Sequence, residues 1–239
     1  MRFNVAIIGD GIGTIELYRS LREKVSEKFV ITIDNINYPY ALRKNAIAEN
    51  SHKLQNFAQK IIKLMIISSP SIALNINRDV RYKVADGLAE FYDKFETAGD
   101  RLVLSDAYFK SYLEEKYFAI NVKDVQILLN SINDFDFNRY IISELLKCYI
   151  GNEKNIFVMD ISLCLIKEYF YELFPDKNFY FLDEFILEEI NKLDVLKNNE
   201  EKSTVKYRVS AYRRGFYLSC EEIFKEDFSS VKEVLIDEN

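Results

Sequence analysis

The stretch from Asn4 to Ile15 constrains the fold more than any other. An apolar run, Val5 to Ile8, is followed by glycines at positions 9, 11 and 13, and then by apolar residues at helical spacing: Ile15, Leu17, Tyr18, Leu21 and Val25. The run predicts a strand, the glycines a tight turn, and the spacing an amphipathic helix starting near Thr14. Such a unit suits an anion, because glycines let a ligand approach the backbone and a helix N-terminus presents free N–H groups. Three of the seven glycines lie in this one turn.

The same unit recurs. Phe29 to Ile33 is a β-branched run that predicts a buried parallel strand, ending at Asp34. A loop with Asn37-Tyr-Pro-Tyr40 and a helix over 45–62 follow. Leu64 to Ile67 predicts a third strand, and Ser68-Ser-Pro-Ser71 supplies a cap and an early proline for the next helix. After a helix between Gly87 and Gly99, a second series begins at Arg101 to Leu104, with Ser105-Asp106 opening its helix. Its further strands are expected within 116–122, at Asn155 to Met159 and at Phe179 to Leu182. Helices are expected over 125–150 (broken near Asn133), 163–174 and 184–193. A polar linker over 194–203, a strand at Val205 to Val209, a helix over 216–224 and a strand at Val231 to Ile236 close the chain. Helical crossovers imply parallel sheets, and ligands bind such sheets at the carboxyl ends of the strands.

Composition narrows the function. At 239 residues and 49% hydrophobic the chain buries a sizeable core. A net charge of −6, with Lys and Arg scattered among acids, excludes the basic face that nucleic acid requires, and Arg213-Arg214 is too short to supply one. Cys148, Cys164 and Cys220 are odd in number and lack C-x-x-C spacing, which argues against a disulfide framework or a zinc site. With one histidine, His52, neither a His-based metal centre nor a Ser-His-Asp triad is expected. No metal and no cofactor is expected. Apolar runs are too short for a membrane span, and the first residues form a strand rather than a leader, so the expectation is a soluble, cytoplasmic protein. Cys148, Cys164 and the aromatic residues from Tyr169 to Phe185 are expected in the core, and His52 in solvent.

Taken in order, these motifs resemble the aspartate/glutamate racemase superfamily, and the glutamate racemases most. The family's D-S-G-x-G-G-L turn is matched by Gly9-Asp-Gly-Ile-Gly-Thr-Ile15, and its G-D-x-x-x-x-P-Y-G by Ile33-Asp-Asn-Ile-Asn-Tyr-Pro-Tyr-Ala41. Its A-C-N-T strand end is matched by Ser68-Ser-Pro-Ser71, and its G-C-T-H by Met159-Asp-Ile-Ser162. Phe179 to Asp183 and Tyr207 to Ser210 match its later strands, so the resemblance covers nearly the whole chain. It implies an α/β fold of two parallel-sheet domains facing each other across a cleft. The first domain is 1–98 plus 203–239 and the second is 99–202. It also implies cofactor-independent racemisation by two cysteines on opposite faces of the substrate, whose thiols titrate near enough to neutrality to exchange an α-proton.

Here the first thiol position falls on Ser68 or Ser69, and the second on Asp160. The acid that activates the first thiol falls on Gly9, and the histidine of the second motif on Ser162. A serine hydroxyl titrates too high to act as an unassisted α-proton base, so two-thiol racemisation is not expected. The retained frame makes Gly9, Asp10, Gly11, Pro39, Tyr40, Ser68, Ser69, Asp160 and Ser162 the expected ligand-binding residues. Asp10, Ser68, Ser69 and Asp160 are the candidate catalytic groups. For Asp10 and Asp160, surface carboxylates capping helices fit the sequence at least as well as paired acid/base groups, and as ions they would repel glutamate. The leading expectation is a degenerate glutamate racemase-like protein that binds a small carboxylate or amino acid, or acts by assembly, with a homodimer open to it. One alternative is an isomerase or lyase-type enzyme using Asp10 or Asp160 with Ser68 or Ser69. Another is a nucleotide-binding module using the Gly9–Gly13 turn with Asp34 toward a ribose, although its third glycine comes one residue early for that motif.

Overall fold

Val5–Gly9 (β1) is buried at every position, which an all-apolar strand tolerates only between two neighbouring strands and two layers of helices. A computed structural model describes residues 4–42, 45–58, 62–134, 137–193, 196, 203–211 and 214–236. After β1 come α1 (Gly13–Arg22), β2 (Lys28–Ile33), α2 (Ile47–Ala58), β3 (Leu64–Ile67), α3 (Pro70–Ala73), β4 (Lys83–Ala85) and α4 (Leu88–Thr97). The second series is β5 (Arg101–Ser105), α5 (Ala107–Lys116), β6 (Val122–Asp124), α6 (Gln126–Asn133), α7 (Arg139–Tyr149) and β7 (Asn155–Val158). A 3-10 segment (Ile161–Ile166), α8 (Lys167–Leu173), β8 (Asn178–Phe181) and α9 (Leu182–Leu193) complete it. The chain ends with β9 (Thr204–Val209), α10 (Arg214–Phe224) and β10 (Lys232–Glu233).

Two sheets result, both parallel throughout. One has the order β10-β9-β2-β1-β3-β4 and the other β6-β5-β7-β8. The α/β class expected from the sequence is therefore observed, and β9 returns to the first sheet beside β2, with Tyr207 opposite Ile31. The register decides which side chains meet. Gly9 pairs with Ile33, which sets Asp10 level with Asp34. Leu104 pairs with Val158, which sets Asp106 level with Asp160. The second core is aromatic: Phe91, Phe95, Phe109 and Phe157 are all fully buried, with ring centroids 5.3–5.9 Å from Phe91. Among the described residues no helix is long and apolar enough to cross a membrane.

Several expectations change, and the last strand, expected over Val231 to Ile236, is only the two residues of β10. No strand fills 116–122: α5 runs on to Lys116 because Phe109 and Leu113 share its buried face, and Phe118 is fully exposed in the loop before β6. The helix over 163–174 is a 3-10 segment, capped by Asp160, that passes into the shorter α8. Cys148 is exposed rather than in the core. On α7 the buried stripe is Ile142 and Leu146, and a residue two places beyond Leu146 points to the opposite face. The core reading stands for Cys164, Phe170, Phe179, Phe181 and Phe185, whereas Tyr171 is exposed and Tyr169, Phe174 and Tyr180 are half-buried; His52 is exposed. The edge strand β4, only three residues long, has no counterpart in the sequence reading. Arg213, most of the 194–203 linker and the side chain of Phe216 lie outside the described residues.

Candidate functional site

The carboxyl ends of β1, β3, β5 and β7 converge on one cavity of about 20 Å³. That is room for one or two water-sized groups. Seven of the residues expected to bind a ligand line it: Asp10, Gly11, Pro39, Ser68, Ser69, Asp160 and Ser162. Gly9 and Tyr40 do not; they stand behind it. Tyr40 is fully buried. Its N–H donates to Asp10 Oδ2 at 3.0 Å and its hydroxyl to Asp34 Oδ2 at 2.6 Å. The tyrosine thus fixes Asp10 through its backbone and ties the turn after β1 to the end of β2.

Gly9 has a local reason. Ser68 Oγ donates to the Ile8 carbonyl at 3.2 Å and lies 2.8 Å from Thr14 Oγ1. A β-carbon at position 9 would come within 2.0 Å of Ser68 Oγ and 2.1 Å of Thr14 Oγ1. The hydroxyl pair fills the space that a longer side chain at this position would need, and Ser68 is engaged in holding β1 to β3. Ser69 caps α3 in extended conformation, but its side chain makes no capping hydrogen bond.

On the opposite wall, Asp106 and Asp160 both combine a capping role with a place in the cavity. Asp106 Oδ1 accepts the Phe109 N–H at 2.7 Å and its Oδ2 the Ser71 hydroxyl at 2.6 Å. Asp160 Oδ1 accepts the Ser162 N–H at 2.8 Å. Asp160 therefore caps the 3-10 segment, as one of its two sequence readings expects, but from the cavity wall rather than from the surface, while Asp10 caps no helix. The walls are latched together by Asn133, whose Oδ1 accepts the Ile12 N–H at 2.9 Å while its Nδ2 donates to Ser162 Oγ at 3.2 Å. The Tyr38 hydroxyl also crosses, to the Leu129 carbonyl at 3.4 Å.

Sequence reasoning missed several lining residues. Asp106 was recognisable only as a helix cap, although its place at a strand end matched that of Asp160. Tyr38, Gln126, Leu129 and Ile161 also line the cavity. Gln126, Leu129 and the latch Asn133 carried no local signal, because helix spacing does not say which turn of a helix faces another sheet, whereas Tyr38 and Ile161 lie inside the motifs Asn37-Tyr-Pro-Tyr40 and Met159-Asp-Ile-Ser162 without being singled out.

Burial, reinforced by neighbouring carboxyls, sets the electrostatics. Burial pushes Asp10 up to about 7, with the Asp106 and Asp34 carboxylates adding to the shift and the Tyr40 N–H opposing it. Burial pushes Asp160 up to about 8, aided by Asp106 and Asp10 and opposed by the Ser162 N–H. Asp106 is raised by burial against its bonds to Ser71 and Phe109. Burial, then Asp160, raises the Tyr38 phenol. Carboxyls held near neutrality either donate or accept a proton at physiological pH.

No thiol reaches this cavity. Cys148 is exposed on α7 and Cys220 is buried in α10. Cys164 is buried with its Sγ 3.4 Å from Asp183 Oδ1, a carboxylate that also accepts Lys167 Nζ at 2.7 Å through each oxygen. Among the described residues, no group of three His, Cys, Asp or Glu side chains is placed to hold a metal ion.

Solved glutamate racemase structures share this fold. That of Thermus thermophilus, in complex with β-chloro-D-alanine, matches with a TM-score of 0.79 at 13% identity, covering 98% of this chain and 97% of that one. The Francisella tularensis enzyme in complex with D-glutamate matches at 0.75 and 14% identity over 99% and 98% of the two chains. The Bacillus anthracis isoform RacE1 matches at 0.75 and 12% identity over 97% of each. No family sequence model matches the chain, and no curated protein matches it in sequence. The likeness establishes the fold, two parallel sheets with interleaved helices arranged as in the glutamate racemases.

Proposed function

We propose that this protein binds a small ligand in the cleft of a glutamate racemase fold and carries out no two-thiol racemisation. The chemistry of the walls supports this reading: the strand ends where the resemblance puts the family's thiols carry Ser68, Ser69 and Asp160, and all three cysteines lie elsewhere. Gly9, where the resemblance puts the activating acid, is crowded by the Ser68–Thr14 pair, so a carboxylate there needs a rearranged turn. The cleft separates two α/β units, 1–98 with 203–239 and 99–202. Chiral chromatography of L-glutamate incubated with the protein tests this reading. The enantiomer is expected to persist unchanged, and formation of D-glutamate at a catalytic rate would overturn it.

One observation favours a second reading. Asp10 and Asp160 lie on opposite walls and titrate near neutrality, as a general acid and base must, so an isomerase or lyase acting on a small substrate is compatible with the site. Asp160→Asn would then abolish turnover of that substrate with the fold intact. The nucleotide reading loses its support at Asp34, which is buried and engaged by Tyr40 and by Asn37 Nδ2 at 2.8 Å.

A further inference from the structure

A second cavity, of about 580 Å³, shares no lining residue with the first. It lies where the chain passes from β4 to α4, and Asp86, Leu88 and Ala89 of that passage line it. Its other walls come from separate elements: Leu74 and Arg78 follow α3, Tyr92 is on α4, Tyr112 on α5 and Glu189 on α9. Small-molecule sites share this volume, about 300–1,000 Å³, and this make-up, an apolar lining with a few convergent polar groups. Those polar groups gather at Asp86. Its buried carboxyl holds the Arg78 guanidinium through Oδ2 and the Leu88 N–H through Oδ1 at 3.0 Å. Glu189 Oε2 accepts the N–H groups of Asp86 at 2.8 Å and of Gly87 at 2.7 Å. Gly87 adopts a left-handed φ of 73°, and an added β-carbon would lie 2.8 Å from the Ile186 nitrogen. This closely packed corner sets a guanidinium at the side chain of Asp86 and a carboxylate at its backbone. Both keep capacity beyond these bonds. Arg78 uses Nη2 alone, toward Asp86 and toward the Ala73 carbonyl at 3.5 Å, and Glu189 uses Oε2 alone. The Arg78 charge also acts on the Glu189 carboxyl, which makes the two near neighbours. Leu74, Leu88 and the rings of Tyr92 and Tyr112 supply apolar surface in the same cavity.

A guanidinium pairs with a carboxylate through parallel N–H bonds, and a carboxylate accepts strongly from an ammonium group. An α-amino acid carries both partners on one carbon, with its side chain as a third arm. We propose that this second cavity binds an α-amino acid with an aromatic or large apolar side chain. Its carboxylate pairs with Arg78, its ammonium with Glu189 Oε1, and its side chain packs against Leu88, Tyr92 and Tyr112. The site is separate from the strand-end cavity and adds to the reading above without resting on it.

Calorimetric titration of the full chain with L-phenylalanine tests this, and saturable binding is expected. Three probes each remove one arm: 3-phenylpropionate lacks the ammonium, phenethylamine the carboxylate and L-alanine the ring. Each is expected to bind about tenfold or more weakly than L-phenylalanine, the scale of one charged hydrogen bond or one buried ring. Arg78→Gln is expected to weaken L-phenylalanine by a similar factor and to leave phenethylamine unchanged. Ala89 is an exposed position of α4 that borders the cavity, so Ala89→Trp is expected to fill it and abolish binding with the circular dichroism spectrum intact. No saturable binding of L-phenylalanine, equal binding of any of the three truncated probes, or binding that survives Ala89→Trp would overturn the proposal. Those failures leave the absence of racemisation standing, since D-glutamate formation is read in a separate assay.

Discussion

Asp160 accepts the Ser162 N–H at 2.8 Å and yet holds its proton up to about pH 8, because burial and the Asp106 and Asp10 carboxylates outweigh the Ser162 N–H and hydroxyl. Asp10 behaves alike up to about 7. Their ordinary value is 3.8, so between roughly pH 4 and 8 the folded chain binds more protons than the unfolded one. The stability these two groups contribute is full below that window and is lost as pH rises through the folded values. Asp160→Asn removes the loss at one site. Its melting temperature is expected to match the native chain below about pH 4 and to exceed it increasingly toward pH 8, by about 1–3 kcal/mol, at about 2–4 °C per kcal/mol. Thermal melts across that range check this, and a variant less stable at pH 8 would contradict it. At this scale the sequence marked Asp10 and Asp160 through their place after apolar strands. It left Asp106 as a cap only, because its pairing with Asp160 is a matter of register between β5 and β7.

The strand–turn–helix unit at the N-terminus holds the two walls together. Gly13 opens α1, and a β-carbon there would lie 2.4 Å from the Ser162 nitrogen and 2.6 Å from the Ile161 carbonyl carbon. Backbone on both sides leaves little means of yielding. Alanine is otherwise favoured over glycine in a helix by about 1 kcal/mol, so the sign of the effect is diagnostic. Gly13→Ala is expected to destabilise by about 1–3 kcal/mol through overpacking. Gly99, with nothing within 4 Å of its added carbon and no left-handed backbone, is expected to accept alanine with a gain of about 0.4–1 kcal/mol. Chemical denaturation of both variants checks the pair, and similar effects at the two sites would contradict the tight docking of α1 on the 3-10 segment. Elements whose apolar runs are continuous, β1, β2, β3 and β7, were legible in the sequence because fully buried parallel strands need no polar face. The short edge strand β4, and β6 with one buried residue in three, offered no such pattern. The aromatic loop before β6 imitated one.

At the scale of the molecule, two parallel sheets face each other with their carboxyl ends turned to a shared cavity, the glutamate racemase arrangement at 12–14% identity. The order of the motifs conveyed this architecture although each motif was degraded, because strand order and crossover handedness follow from where strands and helices alternate. The degree of closure was not legible. It depends on Asn133, Tyr38 and Gly13 meeting partners from the other wall, more than a hundred residues away for Ile12 and Asn133. Racemisation needs a group on each face of the α-carbon, whereas exchange of the α-proton with solvent needs only one base. Proton NMR of D- and L-glutamate incubated with the protein in D₂O is therefore the most direct measure. The expected result is an α-proton signal that persists for both enantiomers at the rate of the protein-free control. Loss of that signal from either enantiomer, dependent on the protein and abolished in Asp160→Asn, would contradict the account by showing that the cleft still removes the proton.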